Sequence, residues 1–124
     1  MTSVLVVDDD QALCQAVAET LTKAGYETRM VHGGREALRL LEDKPADIVV
    51  TDLYMPEFDG LELIRKLRRV SPSPCIVAMS AFESNGNADY LKAAKSFGAT
   101  SVIKKPFRSA ELLNAVAACA PEDK

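Results

Sequence analysis

The stretch Ile48-Val49-Val50-Thr51-Asp52-Leu53-Tyr54-Met55-Pro56-Glu57-Phe58-Asp59-Gly60 passes from a short apolar run into a carboxylate, then into a segment punctuated by proline and glycine. An apolar run bounded by turn signals predicts a buried strand. Asp52 then stands at the C-terminal end of that strand, the edge at which open α/β sheets bind ligands. This reading makes Asp52 the chemical centre and asks what the rest of the chain brings to it.

The pattern repeats on either side. Apolar runs at Ser3 to Asp8, Glu27 to Val31, Cys75 to Met79 and Thr100 to Lys104 predict four further strands. Between and after them, residues recur at helical spacing. Leu13, Val17 and Leu21, with Ala16, Thr20 and Ala24 beside them, mark a helix from Gln11 to Ala24, with Asp10 as N-cap and Gly25 just past its end. Helices over Arg35 to Glu42 (Ala37, Leu38, Leu41 inward), Leu61 to Val70 (Leu63, Ile64, Leu67, Val70), Asp89 to Phe97 (Leu91, Ala94, Phe97) and Ser109 to Ala120 (Leu112, Leu113, Val116, Ala120) complete the alternation. Near-continuously apolar strands alternating with helices predict an α/β fold: a parallel sheet covered by helices on both faces through right-handed crossovers. That topology gathers Asp8, Asp9, Asp52, Ser80 and Lys105 at one edge, although no local spacing groups them.

Three carboxylates around one small site repel each other, and a hard divalent cation relieves that repulsion. Mg²⁺ takes a few carboxylates together with waters and phosphate oxygens. Asp8 and Asp9 are therefore read as metal ligands beside Asp52, and Asp10 as a helix cap. Lys105 reaches over the site to pair with an anion. Its neighbour Lys104 turns to the opposite face by strand alternation. Ser80 ends a strand with a hydroxyl that can donate to a phosphoryl oxygen or simply form a turn. A carboxylate equipped with Mg²⁺, a lysine and a hydroxyl is suited to phosphoryl transfer, giving an aspartyl phosphate.

The segments V-L-V-V-D-D-D, V-V-T-D-L-Y-M-P-E-F-D-G, A-M-S-A and K-K-P-F, in this order on this alternation, resemble the receiver domain of two-component response regulators across essentially the whole chain. The resemblance implies a flavodoxin-like, (βα)5 sheet of order 2-1-3-4-5 in a single receiver domain over residues 1–124. It implies Asp52 as phosphoacceptor, with Asp9 binding Mg²⁺ directly, Asp8 partly through water and the Tyr54 backbone carbonyl completing the protein ligands. Ser80 becomes the switch hydroxyl, Lys105 the phosphate-binding lysine, and Lys105-Pro106 a candidate cis bond. The implied partners are a histidine kinase or histidine phosphotransfer protein as donor and a downstream protein target. A homodimer through the face of the fourth helix, fifth strand and fifth helix is also admitted. Val102 departs from the family's aromatic residue three positions before the lysine. The segment after Ser80, with Asn85-Gly86-Asn87, is longer than usual. Tyr54 and Phe82 are bulky where many members are small or polar, which predicts restricted water access and a long-lived phosphoryl group.

Composition narrows the alternatives. The chain has 124 residues, 48% of them hydrophobic and 27% charged, enough for one domain with a real core. A net charge of −3 lacks the basic balance of a nucleic-acid-binding domain. The run Arg65-Lys66-Leu67-Arg68-Arg69 reads as the solvated face of a helix, and Gly33-Gly34 as a turn. His32, the single histidine, reads as a surface residue. No apolar stretch approaches the roughly 18 residues that span a bilayer, and no leader pattern opens the chain, so a cytoplasmic protein without membrane contact is expected. The three cysteines, Cys14, Cys75 and Cys119, lie far apart among apolar residues and are expected to be small buried reduced thiols. Two other functions compete. A haloacid-dehalogenase-type phosphohydrolase needs Asp-x-Asp-x-Thr/Val, and Asp8-Asp9-Asp10-Gln11-Ala12 fails its last position. A pseudo-receiver scaffold with no phosphorylation is favoured only by Val102. A phosphoacceptor protein is expected, not an enzyme with a turnover substrate.

Overall fold

A computed structural model describes residues 2–55, 60–70, 73–81 and 87–119. Phe82, the segment 83–86, Ser71-Pro72, Ala120 and the chain after it lie outside the described residues, as does the side chain of Leu91. The elements alternate strictly: β1 (Ser3–Val7), α1 (Gln11–Lys23), β2 (Glu27–Val31), α2 (Gly34–Asp43), β3 (Ile48–Asp52), α3 (Gly60–Leu67), β4 (Cys75–Ala81), α4 (Asn87–Phe97), β5 (Ser101–Lys105) and α5 (Ser109–Cys119). All strand pairs are parallel, in the order β2-β1-β3-β4-β5, as the resemblance implied.

Strand alternation divides the core in two. Val4 and Val6 of β1, Ile48 and Val50 of β3, and Val77 and Met79 of β4 pack with Cys14, Val17 and Leu21 of α1 and Leu112 and Val116 of α5. The intervening residues Leu5, Val7, Val49, Ile76 and Ala78 face the other way and pack with Ala37 and Leu41 of α2, Leu63, Ile64 and Leu67 of α3, and Ala94 of α4. Every residue of β3 is buried, as expected for the central strand of a doubly covered parallel sheet.

The helix ends follow their local chemistry. The Asp10 side chain accepts from the Leu13 backbone N–H at 3.1 Å, which satisfies one of α1's unpaired donors. Gly25, just past the α1 C-cap, takes φ +102°, a conformation that side chains disfavour. The apolar stripe of α1 is rotated from the expected one. Cys14, Val17, Ala18 and Leu21 are buried, whereas Ala16 and Ala24 are exposed. The i, i+3, i+4, i+7 pattern is the same, but Cys14 and Ala18, not Leu13 and Ala16, complete it. α3 stops at Leu67, earlier than Val70, and Phe97 of α4 is 38% exposed beneath the Arg65 guanidinium, 5.8 Å from its ring centre.

Gly60 fixes how α3 leaves the sheet. Its N–H donates to the Leu53 carbonyl at 3.1 Å. A Cβ there would lie 2.5 Å from Leu53 Cα and 2.8 Å from the Asp52 carbonyl oxygen. Those are backbone atoms, so no rotamer change relieves the clash. Gly60→Ala is expected to destabilise the fold by about 2 kcal/mol, read as a lowered urea midpoint with unchanged slope. An unchanged midpoint would mean that the approach of α3 to Asp52 is looser than described.

Candidate functional site

The sheet order turns between β1 and β3, and the crevice at their C-terminal ends is where an open α/β sheet binds ligands. Asp8 follows β1 directly, Asp52 is the last residue of β3, and Lys105 is the last residue of β5. Each continues the parity of the strand residues that face α1 and α5: Val4 and Val6 before Asp8, Ile48 and Val50 before Asp52, Ile103 before Lys105. Alternation alone therefore aims three charged side chains from three strands at one place.

They meet there. Asp8, Asp9 and Asp52 each offer a carboxylate oxygen, all within 4.8 Å of one another. Asp8 is completely buried and Asp52 nearly so, at 4% exposure, while Asp9 opens to solvent. The Lys105 Nζ donates to Asp8 Oδ2 at 2.9 Å and lies 3.2 Å from Asp52 Oδ1. Asp8 Oδ1 accepts from the Asp10 backbone N–H at 2.9 Å, so both oxygens of Asp8 are engaged. The approach of Lys105 to Asp52 is an ion pair without hydrogen-bond direction. Among the described residues, Asp52 Oδ1 is the buried side-chain oxygen that lacks a hydrogen-bond partner.

The electrostatics follow from that geometry. Burial pushes the Asp52 carboxyl above the usual carboxylate range and the charge of Asp8 pushes it further. Lys105 and the backbone N–H of Tyr54 pull it down without cancelling the rise. Burial of the Lys105 ammonium works to lower its pKa. The hydrogen bond to Asp8 and the charges of Asp52 and Asp8 outweigh burial, and the net shift is upward. The site thus holds two buried carboxylates and a third beside them against one partly buried ammonium. Asp52 Oδ1 and the three converging carboxylates fit a hard divalent cation, which would supply the missing positive charge.

The other expected site residues fall into place unevenly. Ser80 is completely buried on β4, one residue beyond the Asp52↔Met79 pair. Its strand parity is opposite to that of Val77 and Met79. Tyr54, two residues after Asp52, is 45% exposed. Lys105-Pro106 is cis and Lys104 is exposed, both as expected. Val102 packs on the core layer beneath α2, α3 and α4. His32 and the basic residues of α3 are exposed, as expected.

The cysteine reading requires correction. Cys75 and Cys119 are joined in a disulfide, and only Cys14 is a free buried thiol. The joined residues start β4 and end α5, which the fold stacks against each other, so their distance along the chain says nothing of their distance in space. Cys14 matches its expectation. Its thiol lies 3.7 Å from the Val6 and Val31 carbonyl oxygens, and burial, with the charge of Asp8 adding, pushes its pKa to about 11.

Comparison with known proteins agrees with the geometry. The family model for the response regulator receiver domain matches residues 4–117. Response regulator MprA of Mycolicibacterium vanbaalenii is 37% identical over 89% of this chain, which spans 46% of that protein. The DNA-binding transcriptional regulator NtrC of Azospirillum brasilense is 33% identical over 92% of this chain and 23% of its own length. The chain therefore spans less than half the length of these curated relatives. Among solved structures, the chemotaxis protein CheY4 of Vibrio cholerae superposes with a TM-score of 0.85 at 31% identity, covering 96% of this chain and 98% of that one. A five-stranded 2-1-3-4-5 sheet with an acidic cluster at its switch point, matched by one family model over nearly its whole length, places this chain in the response regulator receiver domain family.

Proposed function

We propose that Asp52 accepts a phosphoryl group from a phosphohistidine of a kinase or phosphotransfer protein, in a Mg²⁺-dependent step, and that the altered protein contacts of these 124 residues carry the signal. The observation that carries this reading is the meeting of the Asp8, Asp9 and Asp52 carboxylates within 4.8 Å beside the Lys105 ammonium.

In this reading one carboxylate oxygen of Asp52 attacks phosphorus, a new O–P bond forms, and the donor imidazole, protonated on its other ring nitrogen, leaves neutral with the electrons of the broken N–P bond. Asp8, Asp9, Asp52 and the Tyr54 carbonyl would hold Mg²⁺, which when bound offsets negative charge on the acids and on the phosphoryl oxygens. Lys105 exchanges part of its pairing with Asp52 for a phosphoryl oxygen and keeps its hydrogen bond to Asp8. The Ser80 hydroxyl, one residue past the level of Asp52 on the neighbouring strand, donates to another phosphoryl oxygen and acts as the switch. Val102, partly buried against the core, is too short to act as the moving aromatic ring of other receivers, and the Ser80 side of the site carries the response alone. The domain acts in a cytoplasmic setting. No helix of the described residues is long and apolar enough to cross a membrane. The reading assigns nucleic-acid binding to none of these residues. DNA binding by a relative such as NtrC belongs to a protein of which this chain matches less than a quarter.

Acetyl phosphate or beryllofluoride with Mg²⁺ should modify the wild-type chain, with the adduct seen by intact mass or fluorine NMR. Asp52→Asn, or chelation of Mg²⁺, should abolish it. An unmodified wild type in the presence of Mg²⁺ would refute the reading.

The phosphoryl group should persist for minutes or longer, because Tyr54 crowds the approach of water. Tyr54→Asn is expected to speed its decay several-fold, followed as loss of the phosphorylated mass, and a wild-type lifetime of seconds would contradict this.

Asp52 also predicts a pH dependence with Mg²⁺ chelated. Its carboxyl is raised in the folded state from 3.8, so the native state prefers the protonated form. The resulting penalty is absent below 3.8 and develops as pH rises from there through the folded value. Asp52→Asn should therefore be more stable than wild type at pH 7, with the gap closing toward pH 4, measured by urea unfolding. Lys105→Met, which leaves two buried carboxylates without their ammonium, should cost about 3 kcal/mol at pH 7.

A further inference from the structure

At the pole of the sheet opposite the acids, Cys75 opens β4 and Cys119 closes α5, with their Cα atoms 5.8 Å apart, a separation that a disulfide spans without backbone movement. Strand parity puts Cys75 on the face of Val77 and Met79, which α5 covers. Cys119 continues the buried stripe of Leu112 and Val116. The Thr100 hydroxyl, just before β5, lies 3.2 Å from Cys75 Sγ, where it donates to sulfur. Cys75 is partly exposed and Cys119 almost buried, so an attacking thiolate reaches Cys75 first. The core layer that takes in both cysteines is otherwise built of apolar side chains such as Val6, Val50, Val77 and Leu112, and the other layer contains neither cysteine.

We propose that Cys75–Cys119 is a reversible thiol–disulfide site whose oxidation state sets the stability of the half of the domain carrying Ser80 and Lys105. The bond closes residues 75 to 119 into one loop, and that loop contains both residues. Oxidation proceeds by exchange with a low-molecular-weight disulfide. The Cys75 thiolate attacks one of its sulfurs and releases the first small thiol. The Cys119 thiolate then attacks Cys75 Sγ and releases the second. Two cysteine thiols are oxidised, one small disulfide is reduced to two thiols, and the two protein protons end on those thiols. Thr100 supports the step by donating to the Cys75 thiolate. Cys14 stays outside the exchange, since its buried thiol ionises only near pH 11. In a reducing compartment a disulfide is characteristically transient and regulatory, which suits a bond placed away from the cation site yet sharing β4 with it.

The test equilibrates the 124-residue chain in glutathione buffers from fully reduced to fully oxidised, then maps alkylated peptides after denaturation. No phosphoryl donor is present, so the result stands apart from the phosphoacceptor reading. Oxidising buffer should yield a linked 75–119 peptide pair that disappears on reduction, with Cys14 alkylated throughout. Oxidation should raise the thermal midpoint by about 10 °C and slow amide exchange in β4 and α5 more than in β1 and β2. Cys75→Ser and, separately, Cys119→Ser should match the reduced wild type and show no redox shift. Absence of the linked pair at every buffer ratio, a different pairing, or an identical midpoint in both states would overturn the proposal.

Discussion

Two buried carboxylates and one partly buried ammonium share the C-terminal edge of the sheet, and their charges do not balance. Asp8 is saturated by Lys105 and the Asp10 backbone. Asp52 is left with an oxygen that no hydrogen bond satisfies and a carboxyl raised by burial and by Asp8. A buried group in that condition is costly unless something cationic or covalent completes it. The fold tolerates this because the surrounding strands are rigid and apolar: β3 is buried along its whole length and Gly60 clamps α3 against the backbone of Asp52 and Leu53. The stable parts of the molecule thus hold one electrostatically unbalanced arrangement in place.

Much of this was legible in the residues. Runs such as Val4 to Val7 and Ile48 to Thr51 announce buried parallel strands, and the period-two alternation that buries Val6 and Val50 also aims Asp8 and Asp52 at one another. The opposite orientations of Lys104 and Lys105 followed from the same alternation, whereas the cis Lys105-Pro106 bond was implied only by the family resemblance. What could not be read was how strongly each acid is paired. Sequence suggests that Lys105 meets an anion. It does not show that the lysine divides itself between Asp8 and Asp52 at 2.9 and 3.2 Å, because that depends on the register of β5 against β4.

The misreadings have physical causes too. Leu13 is the larger apolar residue, but the face of α1 against the sheet carries Cys14, whose Sγ lies 3.7 Å from the Val6 and Val31 carbonyl oxygens, a close approach that favours the smaller Cys14 and Ala18. The cysteine pair was missed because 44 residues separate its members. Yet the needed signal was there: parity places Cys75 beneath α5, and the Leu112, Val116, Cys119 stripe places the second sulfur on the sheet side of that helix. Gly60 was read as turn punctuation. Its role is steric and appears only once Asp52 and Leu53 are seen beneath it.

The central claim is that the acidic cluster is a cation site held in readiness by the fold. A ligand that binds only the native state raises stability in proportion to the logarithm of its concentration once it exceeds its dissociation constant. The most direct measurement is the thermal midpoint of the wild-type chain and of Asp9→Asn as Mg²⁺ is raised to about 10 mM at constant ionic strength. The exposed Asp9 can be changed without disturbing the Asp8–Lys105 pair. The account predicts a midpoint that climbs with Mg²⁺ in the wild type and a much flatter response in Asp9→Asn. A wild-type midpoint indifferent to Mg²⁺, or an equal climb in both proteins, would contradict it.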